Sequence, residues 1–149
     1  MPEENQYCTF HLGNFIFGVG VREVQEVIRY QQMTQVPLAP ATVGGLINLR
    51  GQIVTAIDLR ERLGMPARDP KALPMNVVVC SEDGAVSLLV DEIGDVIHVS
   101  SSQFEMVPDT LVGPARELIT GVYKLEGKLL LVLDVNKTAN IDPETLKVA

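Results

Sequence analysis

Residues 45–59, GLINLRGQIVTAIDL, return in altered form at residues 121–135, GVYKLEGKLLLVLDV. The spacing is constant at 76 residues: 121 − 45, 127 − 51 and 134 − 58 for the identical pairs Gly45/Gly121, Gly51/Gly127 and Asp58/Asp134. Upstream, Val24-Gln25-Glu26-Val27-Ile28 answers Ile93-Gly94-Asp95-Val96-Ile97, and Val36-Pro37 answers Val107-Pro108. Gly13-Asn14 before FIFGV answers Asp83-Gly84 before AVSLLV. Matches in a common order describe an internal duplication, so the chain must fold as two versions of one supersecondary unit.

Each unit parses alike. A strand at 8–12 or 76–80 meets a tight turn, then a second strand at 15–19 or 86–90. The apolar spacing of Val21, Val24, Val27 and Ile28, or Val90, Ile93, Val96 and Ile97, fits either a turn or two of helix or a bent strand. A Pro-containing stretch then leads to a hairpin tipped by Arg50-Gly51 or Glu126-Gly127, where glycine supplies a positive φ. The strands after each tip, 53–57 and 129–133, are almost wholly apolar, which predicts cover on both faces. About five strands per half with short links predict an all-β fold with short helices, built as two small barrel lobes. Residues 64–74, with Pro66, Pro70 and Pro74, form the loop between the halves. The expected organisation is a single domain over 1–149, with one lobe at about 14–65 and the other at about 75–138. The first strand, 7–12, suits either lobe.

Composition removes several functions. A net charge of −7 opposes a polyanion, so nucleic acid is not an expected partner. No apolar run is long enough to span a membrane and no signal peptide is present, so a cytoplasmic protein without membrane insertion is expected. Aromatic residues make up only 5%, with no Trp, so the core must rest on Val, Ile and Leu. Cys8 and Cys80 read as small buried residues. With His11 and His98 they offer no metal-ligand spacing, and neither metal nor cofactor is expected.

Other candidate chemistry has plain readings. Asp58-Leu59-Arg60-Glu61 fits a capping box, and Asp134 caps a similar turn without the glutamate. An enzymatic reading needs Asp58, Asp134 and His98 to converge in a cleft. Asp91, Glu92 and Asp95 read as a solvated or partner-facing acidic cluster. Ser100-Ser101-Ser102 lacks a nucleophile elbow. Arg50, on a rigid tip whose counterpart is Glu126, is placed to project into solvent and make a directional ion pair.

These residues fall on one known pattern. Phe10-His11-Leu12-Gly13, residues 24–30 (VQEVIRY), residues 45–54 (GLINLRGQIV), Ile57-Asp58-Leu59-Arg60, residues 90–97 (VDEIGDVI) and Leu118-Ile119-Thr120-Gly121 resemble the CheW family of chemosensory adaptors over about 7–138. The resemblance implies two SH3-like five-stranded barrels around a shared hydrophobic core. It also implies a non-enzymatic adaptor that couples the cytoplasmic tip of a methyl-accepting chemoreceptor to the regulatory domain of a CheA-type histidine kinase, recruited to receptor arrays. Carried over by position, Val24, Glu26, Val27, Arg50 and Val96 fall on the receptor side. Val36, Pro37, Gly45 and Leu46 fall on the kinase side. A receptor helix tip in an apolar groove is the expected binding mode. Gly44 and the Tyr123-Lys124 region depart from the commoner family pattern.

Overall fold

The duplicated sequence becomes a duplicated set of strands. The computed structural model describes residues 5–140. The first half holds β1 (Gln6–Leu12), β2 (Phe15–Gly20), β3 (Val24–Ile28), β4 (Val43–Leu49) and β5 (Gln52–Asp58), followed by helix α1 (Leu59–Leu63). The second holds β6 (Met75–Ser81), β7 (Gly84–Val90), β8 (Glu92–His98), the two-residue β9 (Phe104–Glu105), helix α2 (Pro114–Leu118), β10 (Ile119–Leu125), β11 (Lys128–Leu133) and helix α3 (Val135–Ala139). A 3₁₀ turn at Val21–Glu23 precedes β3, so the apolar spacing there belongs to a turn and a bent strand, not to an α-helix.

Two sheets result, ordered β8-β1-β2-β11-β10-β9 and β3-β6-β7-β5-β4. They do not follow the lobe boundaries 14–65 and 75–138. The first hairpin of each half has moved into the other half's sheet. β1–β2 lies between β8 and β11, and β6–β7 lies between β3 and β5. The first strand, which suited either lobe, therefore joins the six-stranded sheet, and β2 goes with it. Each transferred hairpin docks through a parallel pairing, Thr55 opposite Val86 in one sheet and Leu131 opposite Phe17 in the other. The remaining strand pairings are antiparallel. Alternation marks a strand and its faces but not its partner, so this exchange is invisible in the periodicity.

The exchange lets one core serve both sheets. Phe10, Leu12, Phe17 and Val19 from β1 and β2 pack with Ile57, Val77, Val79, Leu88 and Val90 of the other sheet, and with Leu59, Leu118 and Val135 of the three helices. Each such side chain contributes roughly 1.5–3 kcal/mol by leaving water. Each sheet also keeps a smaller cluster of its own. One is aliphatic (Ile47, Val54, Ala56, Leu89). The other carries Tyr7 and Tyr123, rings 5.5 Å apart.

The apolar strands 53–57 and 129–133 are not covered throughout. Their first residues, Ile53 and Leu129, are exposed, because each hairpin tip runs past the edge of the core. Cys80 is also exposed, near the end of β6, while Cys8 is half-buried; neither is in a disulfide.

Candidate functional site

The hairpin tips carry the sharpest difference between the halves. β4 and β5 pair through Leu49 and Gln52, leaving Arg50-Gly51 as a two-residue turn. Both turn residues have positive φ, 50° and 88°. Glycine adopts this freely, whereas arginine pays a steric cost of roughly 1–2 kcal/mol there. The Asn48 side chain holds the turn by accepting the Gly51 N–H at 2.9 Å.

The strained turn aims Arg50 at Glu26 on β3. Its guanidinium makes a two-pronged ion pair with the carboxylate, Nη1 to Oε2 and Nη2 to Oε1, the latter at 2.8 Å. β3 and β4 are opposite edges of the five-stranded sheet, so this pair ties its two edges together. The hydrogen bond from Arg50 is the main reason the Glu26 carboxyl sits below its usual range. Arg50 was expected to reach into solvent for an external partner. It finds an internal one, yet its side chain stays 76% exposed against 17% for Glu26, so the guanidinium still faces outward. Sequence spacing gave no sign of this pairing, because β3 and the tip meet only through the curl of the sheet.

The other residues on the same expected surface separate. Val27, on β3 one residue beyond Glu26, is 40% exposed; Val24 packs against the shared core. Val96 lies on β8 in the other sheet, opposite Cys8 as Val27 is opposite Val77. It is 56% exposed. Val27 and Val96 are therefore equivalent positions of the duplication. Beside the tip, Ile53 pairs with Asn48 across β4–β5 and shares a shallow groove with Gln32 and Met33. Nothing in the sequence marks Ile53, because an almost wholly apolar strand predicts cover along its whole length.

Val36 and Leu46 meet in a second place. They line an open apolar groove of about 360 Å³ with Ala39, Val43, Thr55, Ile57 and Val86, over the parallel β5–β7 seam. Pro37 stands exposed at its rim. Gly45 behaves differently: it is buried, with φ 152°, and a Cβ there would lie 2.9 Å from both Met33 Cβ and the Thr34 carbonyl oxygen. The segment crossing at Thr34 bonds to Leu46 through two backbone hydrogen bonds of 2.8 Å. Gly45 acts by making room for that crossing. Gly121 does the same for Phe104, whose ring would meet its Cβ at 2.4 Å. This explains why the duplication keeps glycine at both positions.

The acidic cluster is not one surface. Asp91 is a structural hub. It accepts Arg60 (Nε to Oδ1 3.0 Å, Nη2 to Oδ2 2.5 Å), Arg68 from the interlobe loop at 3.0 Å, and the Gly13 N–H at 2.8 Å. Burial pushes its carboxyl up, but the bonds from Arg60, Gly13 and Arg68 together outweigh this and hold it far below the usual aspartate range. Asp58 and Asp134 cap α1 and α3. The reciprocal half of the expected box at Asp58 is missing, because the Asp58 N–H is already given to the Thr42 carbonyl; Asp134 gives its own to Leu118. Each of these aspartates thus serves its own helix, and His98 ends β8 opposite Gln6.

Among the described residues no group of three or more His, Cys, Asp or Glu side chains is placed to hold a metal ion, and no helix is long and apolar enough to cross a membrane.

Comparison with known proteins agrees with this architecture. A family described as CheW-like domain matches residues 6–142. The chain is 32% identical over 139 residues to a chemotaxis protein CheW of Treponema pallidum, covering 91% of this chain and 82% of that one. It is 32% identical over 131 residues to a chemotaxis protein CheW of Rhizobium meliloti, covering 88% and 84%. In three dimensions it is similar to the scaffolding protein TtCheW of Thermoanaerobacter tengcongensis, with TM-score 0.83 at 24% identity, over 93% of this chain and 94% of that one.

Proposed function

The chain belongs to the CheW-like domain family, a chemotaxis protein family, and we propose from that premise that it is a non-catalytic adaptor joining a methyl-accepting chemoreceptor to a CheA-type histidine kinase. In this reading it is cytoplasmic and is recruited to receptor arrays at the membrane. The receptor tip is held on the surface that includes Glu26, Val27, Arg50 and Val96, with Val24 supporting from the core side. The kinase regulatory domain meets the groove of Val36, Pro37 and Leu46, while Gly45 shapes that groove through its backbone.

One observation carries the reading: a strained arginine on a hairpin tip, paired to a strand-edge glutamate yet facing outward. An exposed ion pair stabilises a fold little, and a left-handed arginine opposes it. Strain retained at an exposed charged tip points to recognition. The aspartates that an enzymatic reading needs are engaged as helix caps, which also favours a binding module.

The test is assembly of a ternary complex from this chain, a chemoreceptor cytoplasmic fragment and the kinase, read by co-sedimentation and kinase autophosphorylation. Arg50→Glu places a second carboxylate against Glu26. It is expected to abolish kinase coupling while the chain stays folded by circular dichroism. Normal assembly and kinase activation with Arg50→Glu would sink the proposal.

A further inference from the structure

Two non-glycine residues among those described have positive φ, Arg50 and Leu38. Leu38 is the more costly of the two, for it has neither a short polar side chain to bond its own backbone nor a local ion pair. It follows Pro37 in a turn closed by the Ala39 N–H on the Val36 carbonyl, at 3.3 Å. Leu38 has φ 65° at the third position of that turn, where glycine or asparagine is the ordinary choice. Burial does not repay the strain, because the leucine is 75% exposed.

The duplicated half supplies an internal control. It carries the same Val-Pro pair at Val107-Pro108 and then Asp109 where the first half has Leu38. That corner closes one residue later, Leu111 N–H to the Pro108 carbonyl at 3.1 Å, without a left-handed non-glycine residue. Asp109 faces water, 3.9 Å from Arg116. The fold therefore makes this corner without a strained leucine, and needs no apolar side chain there.

We propose that Leu38 is the apolar anchor of the kinase-facing surface, presented on a strained turn for insertion into a hydrophobic pocket of the kinase regulatory domain. Its neighbours in the turn, Val36 and Ala39, line the groove over the β5–β7 seam. The surface thus offers a projecting leucine beside an apolar recess, a pairing of the kind that concentrates binding energy at a protein interface. The proposal rests on the assignment of this face to the kinase.

Affinity for the purified full-length CheA-type kinase of the same organism, measured by calorimetry, tests it beside the thermal unfolding midpoint. Leu38→Gly removes the side chain and the strain together. It is expected to weaken kinase binding by about tenfold or more and to unfold no earlier than the wild type. Leu38→Met keeps an apolar side chain and is expected to bind within about threefold of the wild type. Undiminished kinase binding by Leu38→Gly overturns the anchor role while leaving the adaptor reading intact. Equal weakening by Leu38→Gly and Leu38→Met overturns it too, since an apolar side chain kept at this position would then contribute nothing to affinity. Failure of the wild type itself to bind the kinase removes the adaptor reading, and this proposal with it.

Discussion

The hairpins β4–β5 and β10–β11 are two answers to one design. Both have a bulge at the same place, between Val43 and Gly45 in one and between Ile119 and Gly121 in the other. Both give their following strand to a parallel seam. They part at the tip. The first forces an arginine into left-handed backbone and ties it to another strand. The second leaves positive φ to Gly127, at 74°. The Val-Pro corners repeat the contrast, with a strained leucine in the first half and a relaxed aspartate in the second. Features kept in both halves, such as the glycines under the crossing segments, belong to the fold. Features strained in one half only mark the surfaces proposed to meet partners.

Three experiments press on that division. The largest effect is expected at the shared glycines. Gly45→Ala meets a backbone carbonyl and a positive φ together, and should cost about 3 kcal/mol in chemical denaturation. Gly121→Ala meets only the Phe104 ring and a more distant carbonyl, on an edge strand of two residues. It should cost about half as much and be largely restored by Phe104→Ala, whereas Met33→Ala should leave Gly45→Ala unrepaired. Equal costs and equal rescue would break the distinction between backbone and side-chain obstruction.

Asp91 gives a middle effect. Asp91→Asn leaves Arg60 and Arg68 without their carboxylate and should cost about 2 kcal/mol at neutral pH. The sign of its pH dependence follows from the direction of the shift. A carboxyl held low in the folded state stabilises fully above its unfolded pKa of about 3.9, and that contribution is lost as pH falls through the lower folded value. The stability gap between wild type and Asp91→Asn should therefore narrow in acid. A gap that stays constant down to pH 2 contradicts the hub. The first hairpin turn of the other half is held by a neutral acceptor instead, the Glu82 N–H bonding the Asn136 amide oxygen at 2.8 Å. Asn136→Ala should show a smaller cost with no such pH dependence.

The smallest stability effect belongs to the tips. Arg50→Gly exchanges an exposed ion pair for an unstrained turn, and the unfolding midpoint should move by no more than about 3 °C. Glu126→Gly should move it as little. The two should differ in ternary assembly, lost in the first and kept in the second. Loss in both would mean that the tips are equivalent after all.

How much of this was legible beforehand depends on what each feature requires. Strands, turns and the duplication are local matters of spacing, and Gly45/Gly121 through Asp58/Asp134 displayed them. The caps at Asp58 and Asp134 are also local. The family resemblance brought Glu26 and Arg50 to the same surface, but not to each other. Which hairpin joins which sheet depends on pairings such as Ile16 with Leu130, and alternation carries no record of them. Asp91 looked like surface charge because Arg60, Arg68 and Gly13 reach it from three separate stretches of chain. Leu38 was silent because leucine is an ordinary residue until its φ is known.

The exchanged hairpins also govern the order in which this chain can become a protein. β2 leaves the ribosome more than a hundred residues ahead of its parallel partner β11, which begins only at Lys128. The five-stranded sheet waits for β7, which ends at Val90. A nascent chain holding only the first half has β3, β4 and β5 without the hairpin that joins them, and β1–β2 without a sheet to enter. Contacts this distant in sequence favour slow folding and leave strand edges open meanwhile. Neither sheet can close before strands of the second half are made, and neither half has the partners to stand as an independent folding unit.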